Sequence, residues 1–390
     1  MGKQFKRLAL VGSAALVVAL ALPLRADSAD SRAPVNGMES ARRDIQTYAT
    51  LFGTTVPEAE RRLTLQKRVP DLERVLVLAE PSGFGGLWIE HTPEFRVVVL
   101  ATPDRTPQVS SIASSSDLAA LTQVRPTRFS LARLHADLEI LGSSTLRTEF
   151  DLSINVPENV VDVIVEDVDR FHALAASSSL RLPPSARIRV GHRSRPVVNV
   201  GAGLQLDGYL GSSTCTSNFS IWNGAVGSYG LTTAAHCGPF HKYLGLAYTQ
   251  QGSSQGGQHD EQWMTTSADT PRNIFWDGSA FRSVLGKVPY SSVSVGTFVC
   301  KYGITTGYDC GSVTSVSTQP NGCVPNAGNQ YIWVHNSANH NLASPGDSGG
   351  PVFYTVDAYG MMVCGANGID LIYNAYNFME SGLGVVVLTN

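Results

Sequence analysis

All six cysteines of this 390-residue chain lie between Cys215 and Cys364, and the first two hundred residues contain none. Cysteine gathered into one stretch marks a unit that folds where thiols are oxidised and that is cross-linked and rich in loops. Other residue types divide at the same place. Residues 1–200 hold 24 of the 29 Lys and Arg and 22 of the 32 Asp and Glu, whereas residues 201–390 hold 28 of the 37 Gly. A charged, helix-forming unit is therefore expected to precede a glycine-rich, disulfide-bonded one, with the boundary near residue 195. Each is long enough to bury its own core. The formal net charge of -3 argues against nucleic acid as an obligatory partner, since phosphate binding needs a basic surface.

The start of the chain fits export. Lys3, Lys6 and Arg7 precede an uncharged apolar run from Leu8 to Leu24, with small residues from Ala26 to Ala29 offering a cleavage site. Residues 1–29 thus read as a secretory signal peptide. The alternative, an uncleaved membrane anchor, is disfavoured because the run falls short of the roughly 20 residues that a span prefers.

Residues 30–195 read as an α+β unit. Thr55 with Glu58 makes a capping box around Pro57, which predicts a helix through Glu60 and Leu63, and another begins near Asp71. Leu87-Trp88-Ile89 and the run Phe95 to Leu100 predict strands, and the Pro- and Ser-rich stretch from Pro103 to Ser116 predicts a surface linker. Leu131, Leu134, Leu138 and Leu141 recur at helical spacing; Val161, Val163 and Val165 alternate as in a half-buried strand, followed by a helix over Asp167 to Ala176. The four histidines His91, His135, His172 and His192 are scattered over different elements and read as surface or packed side chains, not as a ligand set. Arg187 to Pro196 is basic and polar and reads as an exposed, cleavable joint.

Residues 196–390 read as all-β. Short β-prone runs, among them Phe219 to Trp222, Leu231 to Thr233, Trp333 to His335, Val352 to Tyr354, Met361 to Val363 and Val385 to Leu388, are broken by Gly, Ser and Asn at close intervals. Periodicity alone does not separate a sandwich from a barrel.

Two phrases in this half carry chemistry. Gly346-Asp347-Ser348-Gly349-Gly350-Pro351 sets a serine between glycines, which allow a sharp turn and close approach of backbone N–H groups. A serine hydroxyl is a weak nucleophile and needs a base. Leu231-Thr232-Thr233-Ala234-Ala235-His236-Cys237 supplies a histidine upstream. A serine between glycines can be only a turn, and a histidine in an apolar run is usually a packed core residue. The serine phrase also satisfies the nucleophile elbow of α/β-hydrolases, but those enzymes place their histidine after the serine and none follows Ser348. A zinc site on Cys237 and His241 is weak, because the remaining cysteines lack the paired short spacing of structural zinc sites.

With both phrases present and in this order, the chain resembles the chymotrypsin-like serine peptidases, most closely their secreted bacterial, streptogrisin-like branch, over about its C-terminal half. The resemblance implies two antiparallel six-stranded β-barrels with the active site in the cleft between them. It implies His236 as general base, Ser348 as nucleophile and the N–H groups of Gly346 and Ser348 as the oxyanion hole. The third member should be a carboxylate between them in the chain. Asp260, in His259-Asp260-Glu261-Gln262-Trp263, is the choice, Asp277 its rival, and Glu261 is expected to point the other way along an extended segment. Six cysteines in an exported domain allow fifteen pairings. The resemblance implies Cys215 with Cys237 and Cys300 with Cys310, which leaves Cys323 and Cys364 for each other. Relatives often carry a cysteine shortly before the GDSGG string where this chain has Ser344-Pro345, so the pocket departs from the pattern. Leu342, at the base of the substrate pocket by resemblance, with Gly365 near its wall, implies a preference for apolar or aromatic side chains.

The whole then reads as a secreted, extracellular serine endopeptidase made as a self-processing precursor: signal peptide 1–29, propeptide 30–195 and catalytic domain 196–390. No metal or organic cofactor is expected. Its partners are protein or peptide substrates and its own propeptide, with no nucleic acid, no membrane after signal cleavage, and a monomeric state. The readings set against it are a peptidase-fold protein that binds without catalysis and an N-terminal half that persists as a binding module.

Overall fold

The computed structural model describes residues 37–196, 205–208, 215–243, 246–265 and 272–389; the expected signal peptide lies outside them. Among the described residues no helix is long and apolar enough to cross a membrane.

The N-terminal half is α+β, built as two small layers. In the first, the sheet Phe84–Glu90, Arg96–Ala101 and Thr122–Pro126 is covered by the helices Val69–Ala79 and Thr106–Ser114. Thr55 caps the neighbouring helix Val56–Gln66 by accepting a hydrogen bond from the Glu58 N–H, as the capping box predicts. The stretch expected as a linker is instead the helix Thr106–Ser114. Pro107 sits in its first turn, where no N–H is needed, and Val109 and Ala113 are buried. Its serines bond back to the preceding turn, Ser114 Oγ to the Ser110 carbonyl at 2.7 Å and Ser115 Oγ to Ser111 at 2.9 Å. In the second layer, the helices Leu131–Gly142 and Val168–Ser177 pack on the strands Asp151–Asn155, Val160–Val165 and Ala186–Val190. The basic stretch read as a free joint is thus partly a strand, since Ala186–Val190 pairs in parallel with Val160–Val165.

The C-terminal half is mostly β. Six strands close into a barrel in the order Phe298–Gly303, Pro351–Tyr354, Asp357–Ala366, Asp370–Ala375, Tyr331–His335 and Gly307–Gln319, the last pairing back onto the first. The other sheet has eight strands, running Val386–Val387, Ser220–Asn223, Ser228–Ala234, His259–Thr265, Leu246–Gly256, Phe240–Tyr243, Gln205–Gly208 and Cys215–Thr216, with no closing pair among the described residues. Among the described residues one six-stranded barrel closes, and the eight-stranded sheet makes up the rest of this β half. The helix Tyr376–Leu383, which no periodicity singles out, returns the chain from the barrel to the eight-stranded sheet.

The two halves share structure. Thr318 and Gln319 of the barrel pair with Ser153 and Leu152, so the second N-terminal layer extends the barrel sheet. Tyr48, Ala49, Ala59 and Leu63 belong to the same buried apolar cluster as Phe219, Phe298, Phe353 and Tyr373. Three disulfides, Cys215–Cys237, Cys300–Cys310 and Cys323–Cys364, lie within the C-terminal half.

Candidate active site

The strand Ser228–Ala234 runs straight into a short helical turn, Ala235–Cys237, that projects His236. Four contacts fix this turn. Cys237 is tied to Cys215, the Thr233 hydroxyl donates to the Thr216 carbonyl at 2.7 Å, and the Gln262 amide donates to the carbonyls of Ala234 and Gly238, each at 2.8 Å. The neighbouring strand His259–Thr265 pairs Glu261 with Ala234, so Asp260 arrives beside the imidazole.

Asp260 is fully buried. Its Oδ2 lies 2.5 Å from His236 Nδ1, and its Oδ1 accepts from the His236 N–H at 3.1 Å and from the Gln255 amide at 3.2 Å. Three donors thus converge on this carboxylate and hold it against the imidazole. It also fixes the proton of the imidazole on Nδ1, leaving Nε2 as an acceptor. That acceptor is 2.8 Å from the Ser348 hydroxyl oxygen.

Ser348 stands in a loop clamped from several sides. The Thr216 N–H donates to the Ser348 carbonyl at 2.7 Å, and its hydroxyl donates to the Gly346 carbonyl at 2.8 Å. Gly349, at φ 88°, lies against the Thr216 carbonyl, where any side chain would collide. Buried Asp347 accepts from the N–H groups of Thr305, Thr306 and Ser344 and from the Thr306 hydroxyl, all between 2.7 and 3.2 Å. Gly346 takes φ 111°, and neither its N–H nor that of Ser348 donates to a group among the described residues. Two unpaired donors beside a serine hydroxyl can donate to an anionic oxygen.

The other sequence-selected residues separate. Asp277 does not approach His236. Its Oδ2 accepts from Arg282 Nε at 2.6 Å, and its Oδ1 caps the turn at Ser279 and Ala280. Glu261 turns away from the imidazole and binds His259 Nδ1 at 2.6 Å and the Asn374 amide at 2.9 Å. Burial pushes its carboxyl up to about 7, and its hydrogen bond raises His259. His241 and Cys237 form no metal site, because Cys237 is disulfide-bonded; the same bond removes the thiolates from the cluster Cys215, His236 and Cys237. Leu342 is fully buried, its N–H bonded to the Ile369 carbonyl at 2.7 Å. Gly365 lies on Asp357–Ala366, the strand that also passes the serine: Ser348 Oγ is 3.4 Å from the Val363 carbonyl.

Several supporting residues escaped the reading of the sequence. Gln255 and Gln262 give no local signal, since glutamines in polar strands are common. Lys301 is buried behind the loop, its ammonium donating to the Gly307 carbonyl at 2.8 Å and to the Thr306 hydroxyl. Burial brings it down to about 8 against the pull of Asp347 and Asp309.

No protein-family model matches the chain. It is similar to Streptogrisin-C of Streptomyces griseus, 28% identical over 216 residues that make up 52% of this chain and 44% of the relative. The chain thus spans less than half the length of that curated relative. Among solved structures, a glutamic acid specific serine protease that utilizes a novel histidine triad in substrate binding matches 48% of this chain and 98% of its own at 20% identity and a TM-score of 0.38. The Nocardiopsis protease NAPase matches 49% and 100% at 21% identity and a TM-score of 0.39.

Proposed function

We propose, from its resemblance to the chymotrypsin-like serine peptidases of the streptogrisin-like branch, that this chain is a secreted serine endopeptidase made as a self-processing precursor. One observation carries the reading: Ser348, His236 and Asp260 form an unbroken hydrogen-bonded line although 112 residues separate the first two. As His236 Nε2 takes the hydroxyl proton, Ser348 Oγ bonds to the carbonyl carbon of the substrate. The oxygen that becomes anionic turns toward the N–H groups of Gly346 and Ser348. Collapse breaks the C–N bond, His236 hands its proton to the departing amine, and water then hydrolyses the acyl-serine by the same base. Asp260 holds the ring in place and stabilises the imidazolium.

Residues 30–195 act in this reading as the propeptide, and two features support it. Arg195 and Pro196 pair antiparallel with Gly365 and Cys364, on the strand beside Ser348 where an extended substrate would add itself. The half also supplies contacts at long sequence range, including Gln66 to the backbone of Phe298 and Asp44 to Arg282. Strand pairings across long loops form slowly, so a bound template lowers the barrier for the β-half. Export accords with the three disulfides and the charged, then apolar, first residues. Labelling with a serine-directed phosphonate tests the nucleophile. The unaltered protein is expected to be labelled and to cleave casein, and Ser348→Ala to do neither, with turnover down by about 10⁶-fold. Equal labelling of the two proteins refutes the assignment.

A further inference from the structure

The triad is divided between two parts of the β half, and one buried side chain beside it ties those parts together. We infer that Glu261 is a positioning residue, holding Asp260 and His236 in register with Ser348 through Asn374; this rests on the peptidase reading above and adds a residue to it.

Asp260 and His236 come from the eight-stranded sheet, whereas Ser348 comes from a loop of the barrel. Consecutive residues of a strand point to opposite faces, so Asp260 meets the imidazole and Glu261 faces away from it. Glu261 is fully buried, with both carboxylate oxygens engaged. Oε1 lies 2.6 Å from His259 Nδ1. Oε2 accepts from the Asp260 N–H at 2.7 Å and from the Asn374 amide at 2.9 Å. The first of these bonds pins the backbone of the triad carboxylate. The second crosses to the barrel, where Asn374 is buried on the strand Asp370–Ala375 and pairs with Met361 of the neighbouring strand. The next residue there, Met362, donates its N–H to the Gly350 carbonyl and accepts from the Gly349 N–H, each at 2.8 Å. A short path thus leads from the backbone of Asp260 to the two glycines that follow Ser348. Asn374 Oδ1 has no partner among the described residues, so Glu261 is what holds that amide in place.

The helix Tyr376–Leu383 closes over the tie. Its Gly382 lies so near that a Cβ there would collide with Glu261 Oε1 and His259 Nδ1. In this enclosed place, removing one partner leaves a buried polar group unsatisfied. Hydrogen bonding does the positioning, and a charge is not needed for it. Glu261→Gln can keep all three bonds, its oxygen accepting from Asp260 and Asn374 and its amide donating to His259 Nδ1.

Five full-length proteins test this: the unaltered chain, Glu261→Met, Glu261→Gln, Asn374→Leu and the double variant Glu261→Met with Asn374→Leu. Phosphonate titration counts the reactive serines in each. Then kcat and KM on a peptide ester are measured per labelled site, which removes any loss of folded protein from the comparison. Glu261→Met should lower kcat on the order of 100-fold with KM little changed, the cost of misplacing a base by about 1 Å from its nucleophile. Asn374→Leu should lower it by about 10-fold, since Glu261 then keeps its bond to Asp260. Glu261→Gln should restore most of the loss. The double variant should fall no further than Glu261→Met, because the two side chains act as one unit. Where Glu261→Met fails to fold, Asn374→Leu and Glu261→Gln carry the test. An unchanged kcat per labelled site in Asn374→Leu overturns the tie, and so does a Glu261→Gln enzyme slowed on the order of 100-fold, which would put charge in place of positioning; both leave the peptidase intact. An unaltered chain that is neither labelled nor active overturns the peptidase reading itself.

Discussion

Asp260 and Asp277 are both buried carboxylates of the C-terminal half, and each holds a nitrogen base at hydrogen-bond distance, 2.5 Å to His236 in one case and 2.6 Å to Arg282 in the other. What differs is the partner. An imidazole gives up and regains its proton near neutral pH, whereas a guanidinium keeps its proton throughout. The first pair can therefore take up a proton from Ser348 and give it on, and the second can only hold structure together. Arg282 is completely buried, packs its guanidinium 4.8 Å from the centre of the Phe353 ring, and reaches across to Asp44 of the N-terminal half at 2.9 Å. Asp44 in turn accepts from the Thr355 N–H at 2.7 Å and the Tyr308 hydroxyl at 2.8 Å. Two buried ionic clusters of similar composition thus serve different ends, one poised toward the cleft and the other toward the seam between the halves.

The largest effect should come from exchanging one oxygen for nitrogen in each cluster. Asp260→Asn presents an amide to Nδ1 and favours the wrong imidazole tautomer, so kcat should fall by about 10⁴-fold with folding intact. Asp277→Asn should leave kcat of the processed enzyme within a small factor while weakening its fold by about 3 kcal/mol, since a buried guanidinium loses its charge partner. Kinetics on a peptide ester and denaturant unfolding read the two quantities separately. A folded Asp277→Asn enzyme with kcat down a thousandfold would erase the distinction.

How much of this was legible in the sequence depends on how far apart the partners lie. Ser348 and His236 announce themselves, because the glycines and the TAAHC string that shape their turns are adjacent in the chain. Thr55 and Glu58 announce a helix for the same reason. Asp277 competed with Asp260 until its surroundings were seen, although a local clue existed. Asp277-Gly278-Ser279 is a turn in which the aspartate caps the following N–H groups, and Arg282 comes back on the returning strand. Asp44 gave no such clue, since its cation lies 238 residues away. The serine-rich helix Thr106–Ser114 was read as a linker because composition favours loops there, but burial of Val109 and Ala113 on a sheet overrides a weak propensity. The joining of Asp151–Asn155 to the barrel edge was invisible for a related reason: strand pairing between distant segments leaves no periodic trace in either one.

A middle-sized effect should separate the seam from the cleft directly. Asp44→Asn removes one of the two charges facing Arg282 and leaves the other, so the precursor should lose about 2 kcal/mol. The processed enzyme lacks residue 44 in the proposed scheme and cannot be affected once formed. Thermal unfolding of the two precursors in a Ser348→Ala background, beside kcat of whatever Asp44→Asn enzyme matures, checks both halves of the statement. A change in kcat of the mature form would mean that the segment carrying residue 44 stays with the enzyme, against the proposed scheme.

The smallest effect is one of pH, and it arises because the seam also buries two groups that titrate in opposite directions. His91 is buried between the Tyr48 hydroxyl and the Gly296 carbonyl, each 2.7 Å from a ring nitrogen, and burial brings it down to about 4. The unfolded chain takes up a proton there near 6.5 and the folded one does not, so the stabilisation is complete above 6.5 and is lost as the pH falls toward 4. Glu73, whose carboxylate meets the Ser294 hydroxyl at 2.6 Å, is pushed up to about 7 by burial. Its folded form keeps a proton that the unfolded form has released above about 4.5, so its contribution is present at low pH and lost as the pH rises toward 7. In the unaltered precursor the two slopes oppose each other and the net dependence is shallow. Glu73→Gln should unmask the histidine: in a Ser348→Ala background, stability should fall between pH 6.5 and 4 by an amount on the order of 3 kcal/mol, and adding His91→Phe should flatten it. A slope that survives the loss of both side chains would locate the acid sensitivity elsewhere, with His241 the first group to examine, since burial lowers its imidazole against the hydrogen bond to the Gly238 carbonyl.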